Sequence, residues 1–124
     1  MSSDVRFAAA SVQHVPLCID GLAIRTKFWF EIDGRFVVGE HGLDLLAAID
    51  RTGSIAQAAR SLGWSYRHAW GYVKQAEATL GRRLLVSRAG RGAAKGTQLS
   101  EQGIALLRFG LEYRERRANK PTSW

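Results

Sequence analysis

Gly53–Gly81 reads GSIAQAARSLGWSYRHAWGYVKQAEATLG, and the pattern predicts two helices joined by a tight turn. Ser54-Ile55-Ala56-Gln57 has the S-x-x-Q form of a capping box, which places a helix start at Ser54. The helix that follows is short, and Ala56, Ala58 and Ala59 would let another helix cross it closely. Gly63 ends it, because glycine adopts the positive φ of a tight turn without a Cβ penalty. Ser65 then caps a second helix, predicted from Tyr66 to about Leu80. With Ala69 as origin and an advance of about 100° per residue, Val73, Ala76 and Leu80 fall within roughly 40° of it and form a core stripe. Arg67, His68, Gly71, Lys74 and Gln75 gather on the opposite side, with Tyr66, Trp70 and Glu77 on one border. Trp70, on that border, is read as packing in preference to base contact. An apolar stripe opposed to an Arg/Lys/His/Gln face suits a helix laid in the major groove of duplex DNA.

The residues after this helix strengthen that reading. From Ala78 to Ser100 there is no acidic side chain, while Arg82, Arg83, Arg88, Arg91 and Lys95 all fall in the window. Leu84–Ser87 reads as a strand, 89–96 as a glycine-rich loop and Thr97–Ser100 as the returning strand. Glycine lets such a loop lie close to a sugar-phosphate backbone, and Arg88, Arg91 and Lys95 would neutralise phosphates there. The loop lacks the G-x-x-x-x-G-K-[ST] spacing of a nucleotide cradle.

Upstream, Ala23–Ile32 alternates, with Ile24, Phe28, Phe30 and Ile32 on one face and Arg25, Lys27, Trp29 and Glu31 on the other. Asp33-Gly34 is a two-residue turn signal and Arg35–Val38 the return strand, so a β-hairpin is expected. A lone hairpin is marginal in water and must pack on helices or on a second chain. Gly42–Thr52 reads as a helix with Leu43, Leu46, Ala47 and Asp50 down one side, Leu45 and Ile49 widening the stripe, and Gly53 as its C′ residue. Downstream, a long helix is predicted from Ser100 or Glu101 to about Arg117. It carries two apolar stripes, Ile104/Leu107/Leu111 and Leu106/Phe109/Tyr113, and ends in a solvated Arg114–Arg117 run. That is more apolar surface than one small core absorbs. The expectation is a homodimer through this helix and the N-terminal hairpin and helix; the alternative is cover by the hairpin within one chain.

The fold class expected is therefore mainly α with small β: a winged helix-turn-helix preceded by a β-hairpin and followed by a long C-terminal helix. Residues 21–117 form the domain, 1–20 an N-terminal arm without clear period, and 118–124 a tail. At 124 residues and 46% hydrophobic content the chain has the size of one domain with a modest core, with no room for a second ligand-binding domain. A net charge of +7 points to an anionic partner, either nucleic acid or a lipid surface; the alternative is a soluble protein that is simply basic. No apolar run approaches the roughly 20 residues of a membrane span, and the start lacks the features of a signal peptide. Cys18 is the only cysteine, which fits a reducing cytoplasm. His14, His41 and His68 are scattered, and no metal-ligand or nucleophile-elbow spacing occurs, so neither an enzyme nor a cofactor is expected.

Gly53-Ser54-Ile55, Gln57-Ala58-Ala59, Ser65-Tyr66-Arg67 with Ala69-Trp70, Leu85-Val86, Ser87-Arg88, the glycine-rich loop and Leu99 before Gly103 together resemble the N-terminal DNA-binding domain of the ModE-type molybdate-responsive regulators. These are winged helix-turn-helix proteins related to the LysR-type DNA-binding domain. The resemblance extends over most of the chain, and its specific part is the S-Y-R-x-A-W block beside the glycine-rich loop. It implies double-stranded DNA binding and homodimerisation. Full-length members carry molybdate-binding modules after this domain; the chain ends at Trp124, so no molybdate site is expected within it. The loop also departs from the family's longer glycine run, with Ala93, Ala94 and Lys95 inside it.

On this reading Tyr66 and Arg67 enter the major groove with His68, Gly71 and Lys74, and Arg67 pairs with guanine. Gly71 allows close approach, and Ser65 aims the helix N-terminus at a phosphate. Arg88, Arg91 and Lys95 hold the flanking backbone. The competing reading is a winged-helix protein-interaction module that no longer binds DNA; the basic residues retained at 67, 74, 88 and 91 argue against it.

Overall fold

In the computed structural model, which describes residues 16, 18–88 and 96–118, the order is β1 (Trp29–Ile32), β2 (Arg35–Gly39), α1 (Glu40–Thr52), α2 (Ile55–Leu62), α3 (Tyr66–Leu80), β3 (Leu85–Arg88), β4 (Gly96–Leu99) and α4 (Glu101–Ala118). The strands pair as two antiparallel hairpins, β1 with β2 and β3 with β4. This is the expected winged helix-turn-helix with a hairpin before it and a long helix behind it. The arm expected over 1–20 and the tail over 118–124 lie almost wholly outside the described residues.

Asp33 and Gly34 turn the first hairpin with φ of 52° and 77°, the paired left-handed geometry of a two-residue hairpin loop. The hairpin is shorter than expected. Trp29 pairs with Gly39, and α1 begins at Glu40, so residues before Trp29 have no strand beside them. Ile24 accordingly stands 78% exposed instead of sharing a buried face with Phe28 and Phe30. The register shifts between Phe30, opposite Val38, and Glu31, opposite Phe36, which leaves Val37 as an extra residue. That bulge lets two successive valines, Val37 and Val38, both reach the core.

Helix α1 is the central element, in contact with α2, α3, α4, β2 and β4. Its buried face is wide for that reason, comprising Gly42, Leu43, Leu45, Leu46, Ala48 and Ile49. Asp50, expected on the stripe, is exposed, and Ala48 takes the inward position. Burial of each such leucine or isoleucine stabilises the fold by about 1.5–3 kcal/mol. Gly53 closes α1 in the left-handed conformation, as expected.

Ser54 Oγ accepts from the Gln57 N–H at 3.1 Å and caps α2. The capping box is half formed: the Ser54 N–H goes to Thr52 Oγ1 at 3.3 Å, not to Gln57. Ala58 and Ala59 are buried where α2 meets its neighbours, whereas Ala56 faces outward. Gly63 ends α2 at φ 76° and turns the chain into Ser65.

Helix α4 departs most from its expected packing. Leu107 is buried and Leu106 half-buried, but the inward line is Gly103, Leu107, Gly110, Arg114 and Arg117. The glycines bring the helix backbone close. A Cβ on Gly103 would run into the Leu84 carbonyl oxygen and come within 3.3 Å of Leu99 Cβ, and one on Gly110 would come within 2.6 Å of a Leu43 methyl. Arg114 and Arg117 are not a solvated end, because the same helical period carries them onto α1. Arg114 donates to Asp44 Oδ1 at 3.1 Å and to the Glu40 carbonyl at 3.0 Å. Arg117 donates to both Glu40 carboxylate oxygens, at 3.2 and 3.1 Å, and to the Thr26 carbonyl at 2.9 Å. Its guanidinium also lies 5.0 Å from the Phe28 ring centroid. The hairpin touches the second stripe, with Phe28 on Tyr113 at 4.7 Å and Phe30 on Phe109 at 5.9 Å, but leaves Phe109 58% exposed.

Replacing Gly103 by Ala should destabilise the domain by about 1–3 kcal/mol, since a methyl there must displace backbone. Urea unfolding followed by circular dichroism measures this, and an unchanged midpoint would refute the close approach of α4 to Leu84.

Candidate nucleic-acid interface

Helix α3 spans Tyr66–Leu80 and starts where its cap requires: Ser65 Oγ accepts from the His68 N–H at 3.0 Å. Ala69, Val73 and Ala76 are buried, and Leu80 is half-buried. The opposite side is open. Arg67, Gly71 and Gln75 are exposed, and a Cβ on Gly71 would meet nothing within 4 Å. The structure therefore brings Ser65, Tyr66, Arg67, His68, Gly71 and Lys74 onto one outward-facing segment.

Within that segment the residues differ. His68 lies on the border away from the wing, its ring 4.5 Å from Trp64 and 6.4 Å from Tyr72. Lys74 is half-buried and held at two points: Nζ is 3.3 Å from Glu77 Oε1 and 5.6 Å from the Trp70 ring centroid. Trp70 is not a packing residue, since it stands 46% exposed. The helix turns its indole past the core stripe, and Trp64 is the tryptophan packed against the core. Tyr66, 55% exposed, and Trp70 flank a cleft of about 230 Å³ between α3 and the wing, closed on its other sides by Lys74, Arg83, Ser87 and Thr97.

The wing is built on β3 and β4, with Leu85 opposite Leu99 and Arg88 opposite Gly96. Two bonds fix its root. The Thr97 N–H donates to the Gly53 carbonyl at 3.0 Å, tying β4 to the α1–α2 junction. Glu77 Oε2 accepts from the Leu84 and Leu85 N–H groups at 2.8 and 3.2 Å, tying β3 to α3. Arg88 sits at the outer end of β3; Arg91 and Lys95 lie outside the described residues.

Two residues that organise this face escape the sequence reading. Glu77 lies on a border of the helical wheel, yet it is the last acid before a run of cations, a position that signals a local partner. Tyr72 lies between Ala69 and Ala76 on the core side of the helix. Its hydroxyl accepts from the Gly39 N–H at 2.9 Å and fills the space over Gly42, where a Cβ would lie 2.5 Å from it. Burial raises the Tyr72 pKa; hydrogen bonds from the Gly39 and Gly42 N–H groups offset this only in part.

Among the described residues no group of three or more His, Cys, Asp or Glu side chains could hold a metal ion, and no helix is long and apolar enough to cross a membrane.

Comparison with known proteins places this geometry. The family model described as bacterial regulatory helix-turn-helix protein, lysR family, matches residues 41–104, which run from α1 through the wing to the first turn of α4. Molybdenum-pterin-binding protein MopB of Rhodobacter capsulatus is 39% identical over 70 residues, covering 56% of this chain and 26% of that protein. The chain thus spans about a quarter of that relative's length. Among solved structures, ArgP from Mycobacterium tuberculosis aligns at a TM-score of 0.50 and 26% identity over 62% of this chain and 27% of its own. A CbnR_DBD–DNA complex aligns at a TM-score of 0.50 and 29% identity over 64% of this chain and 90% of its own.

Burial alone would raise the Glu77 carboxyl pKa, but hydrogen bonds from Leu84, Leu85 and Lys74 outweigh it and hold the group below the ordinary 4.5. At Glu40, likewise, burial is outweighed by Arg117, the Phe28 N–H and Arg114. Both carboxylates titrate lower folded than unfolded, so their contribution is complete above pH 4.5 and is lost as pH falls through the lowered folded values. Glu77→Gln should therefore be less stable than the parent above pH 4.5, and the gap should narrow below it. Urea midpoints measured on both sides of that value test this; a gap that does not change with pH would count against the charge of Glu77.

Proposed function

The chain belongs to the lysR family of bacterial regulatory helix-turn-helix proteins, and from that premise we propose how it engages DNA. It is a sequence-specific double-stranded DNA-binding transcriptional regulator, not an enzyme. In this proposal α3 lies in the major groove with Arg67 paired to guanine, and Tyr66, His68, Gly71 and Lys74 beside it. Ser65 and the α3 N-terminus meet a phosphate. Arg88, Arg91 and Lys95 meet the backbone alongside.

The observation that carries this is the division of α3 into a buried Ala69/Val73/Ala76 side and an open Arg67/Gly71 side. Among the described residues nothing comes within 4 Å of a Cβ placed on Gly71, which leaves that side open to a groove. The protein acts in the cytoplasm, where its DNA partner is. No molybdate site is assigned to this domain.

Two copies join through α4 and the N-terminal hairpin. Ile104, Phe109, Leu111 and Tyr113 on α4, and Trp29 and Phe36 on the hairpin, are exposed apolar side chains on connected elements. A two-fold pair would then read a palindromic operator. Sedimentation should find a dimer that Phe109→Asp dissociates; a monomeric parent would eliminate this arrangement.

Selection of bound sequences from a random duplex pool supplies the operator. Arg67→Ala should lose about 1–3 kcal/mol of discrimination between operator and random duplex. Lys95→Ala should weaken binding to both equally and flatten the salt dependence by about one unit of slope. Unchanged sequence preference in Arg67→Ala would sink the assignment of Arg67.

A further inference from the structure

We propose that Trp70, with Tyr66 beside it, reads thymine in the operator through the 5-methyl group. The proposal rests on the docking of α3 described above and adds a second, apolar readout to it.

Trp70 is the largest side chain on α3, and it stands nearly half exposed on a helix whose core face is filled by small residues. Its ring is not loose. Lys74 Nζ lies over it at 5.6 Å, and Lys74 is itself paired to Glu77, which is bonded to the wing root. An indole held in place with nearly half its surface in water presents apolar surface to a partner from outside the domain.

The cleft beside it identifies the partner's chemistry. Tyr66 and Trp70 supply aromatic surface, Ser87 and Thr97 hydroxyls, and Lys74 and Arg83 positive charge; no acidic residue lines it. An anionic partner carrying an apolar group fits such walls. In the major groove the apolar group a base pair presents is the thymine methyl.

Position agrees with this. Trp70 lies about 60° from Arg67 and about 100° from Gly71 around the helix, on the side of the wing. With the Arg67–Gly71 line toward the groove floor, Trp70 faces the groove wall on the wing side. The thymine methyl projects toward that wall, near its own strand's backbone, whereas the guanine acceptors that suit Arg67 lie nearer the middle. Arginine and tryptophan therefore read different base pairs from one helix turn.

The test alters the DNA first, so it needs no variant that might misfold. Each thymine of the selected operator is replaced in turn by deoxyuridine, which removes one methyl and no hydrogen-bonding group. The parent protein should lose about fourfold in affinity at one or two thymines per half-site, the effect of burying a single methyl. Trp70→Ala should bind thymine and deoxyuridine alike at those positions, and Arg67→Ala should keep the methyl sensitivity. Indifference of the parent to every deoxyuridine overturns the inference, as does methyl sensitivity that persists in Trp70→Ala. Equal weakening of Trp70→Ala on operator and random duplex, with methyl sensitivity intact, assigns the indole to the sugar-phosphate backbone and also overturns it. A parent that selects no sequence at all removes the groove docking itself. A parent that selects an operator but ignores its methyls removes only this inference.

Discussion

The carboxylate of Glu77 joins α3 to the root of the wing. One oxygen receives the Leu84 and Leu85 N–H groups at the root of the wing, and the other receives Lys74 from the outward side of α3. The relative placement of α3 and the wing therefore depends on charge-assisted bonds inside the domain, formed before any duplex arrives. Thr97, bonded to the Gly53 carbonyl, holds the other wing strand to the start of the helix-turn-helix. The two wing strands are thereby each fixed at the root by a bond to another element.

Glu40 has the corresponding role at the other end of the domain. It is the first residue of α1, receives both guanidinium groups from the last turns of α4, and accepts the Phe28 N–H where the chain enters the hairpin. Tyr72 completes the tie by bonding Gly39 from α3. Hairpin, α1, α3 and α4 thus converge on a few residues around the β2–α1 junction. Apolar burial supplies the bulk of the stability, while these polar contacts set the angles at which the elements meet.

The turns and caps could be read directly because their chemistry is local. Ser54, Ser65, Gly53, Gly63 and the Asp33-Gly34 pair each act within a few residues of their own position, and α3 runs over the residues its cap and stripe indicated. The inward face of α4 could not be read this way. It is marked by Gly103 and Gly110, which carry no hydrophobic signal, and by Arg114 and Arg117, which look solvated until their partners across the fold are known. Trp70 misled for a related reason: a border position on a helical wheel does not say whether the neighbouring element covers it. Glu77 needed the wing root in place before its two N–H partners existed. Local signals located α3 and its open side, and long-range contacts decided how its border residues pack.

The open side of α3 has a consequence for how such a protein can diverge. Arg67, Gly71 and Gln75 are exposed, whereas Ala69, Val73 and Ala76 are locked into the core on the reverse side. If α3 docks as proposed, substitutions at positions 67 and 71 alter the preferred operator at little cost to folding, so target choice drifts while the scaffold stays intact. Lys74 is the exception, since a change there also disturbs the carboxylate that holds the wing. On that docking, duplicated copies of this gene acquire new operators first through positions 67 and 71, with position 74 the slowest to follow.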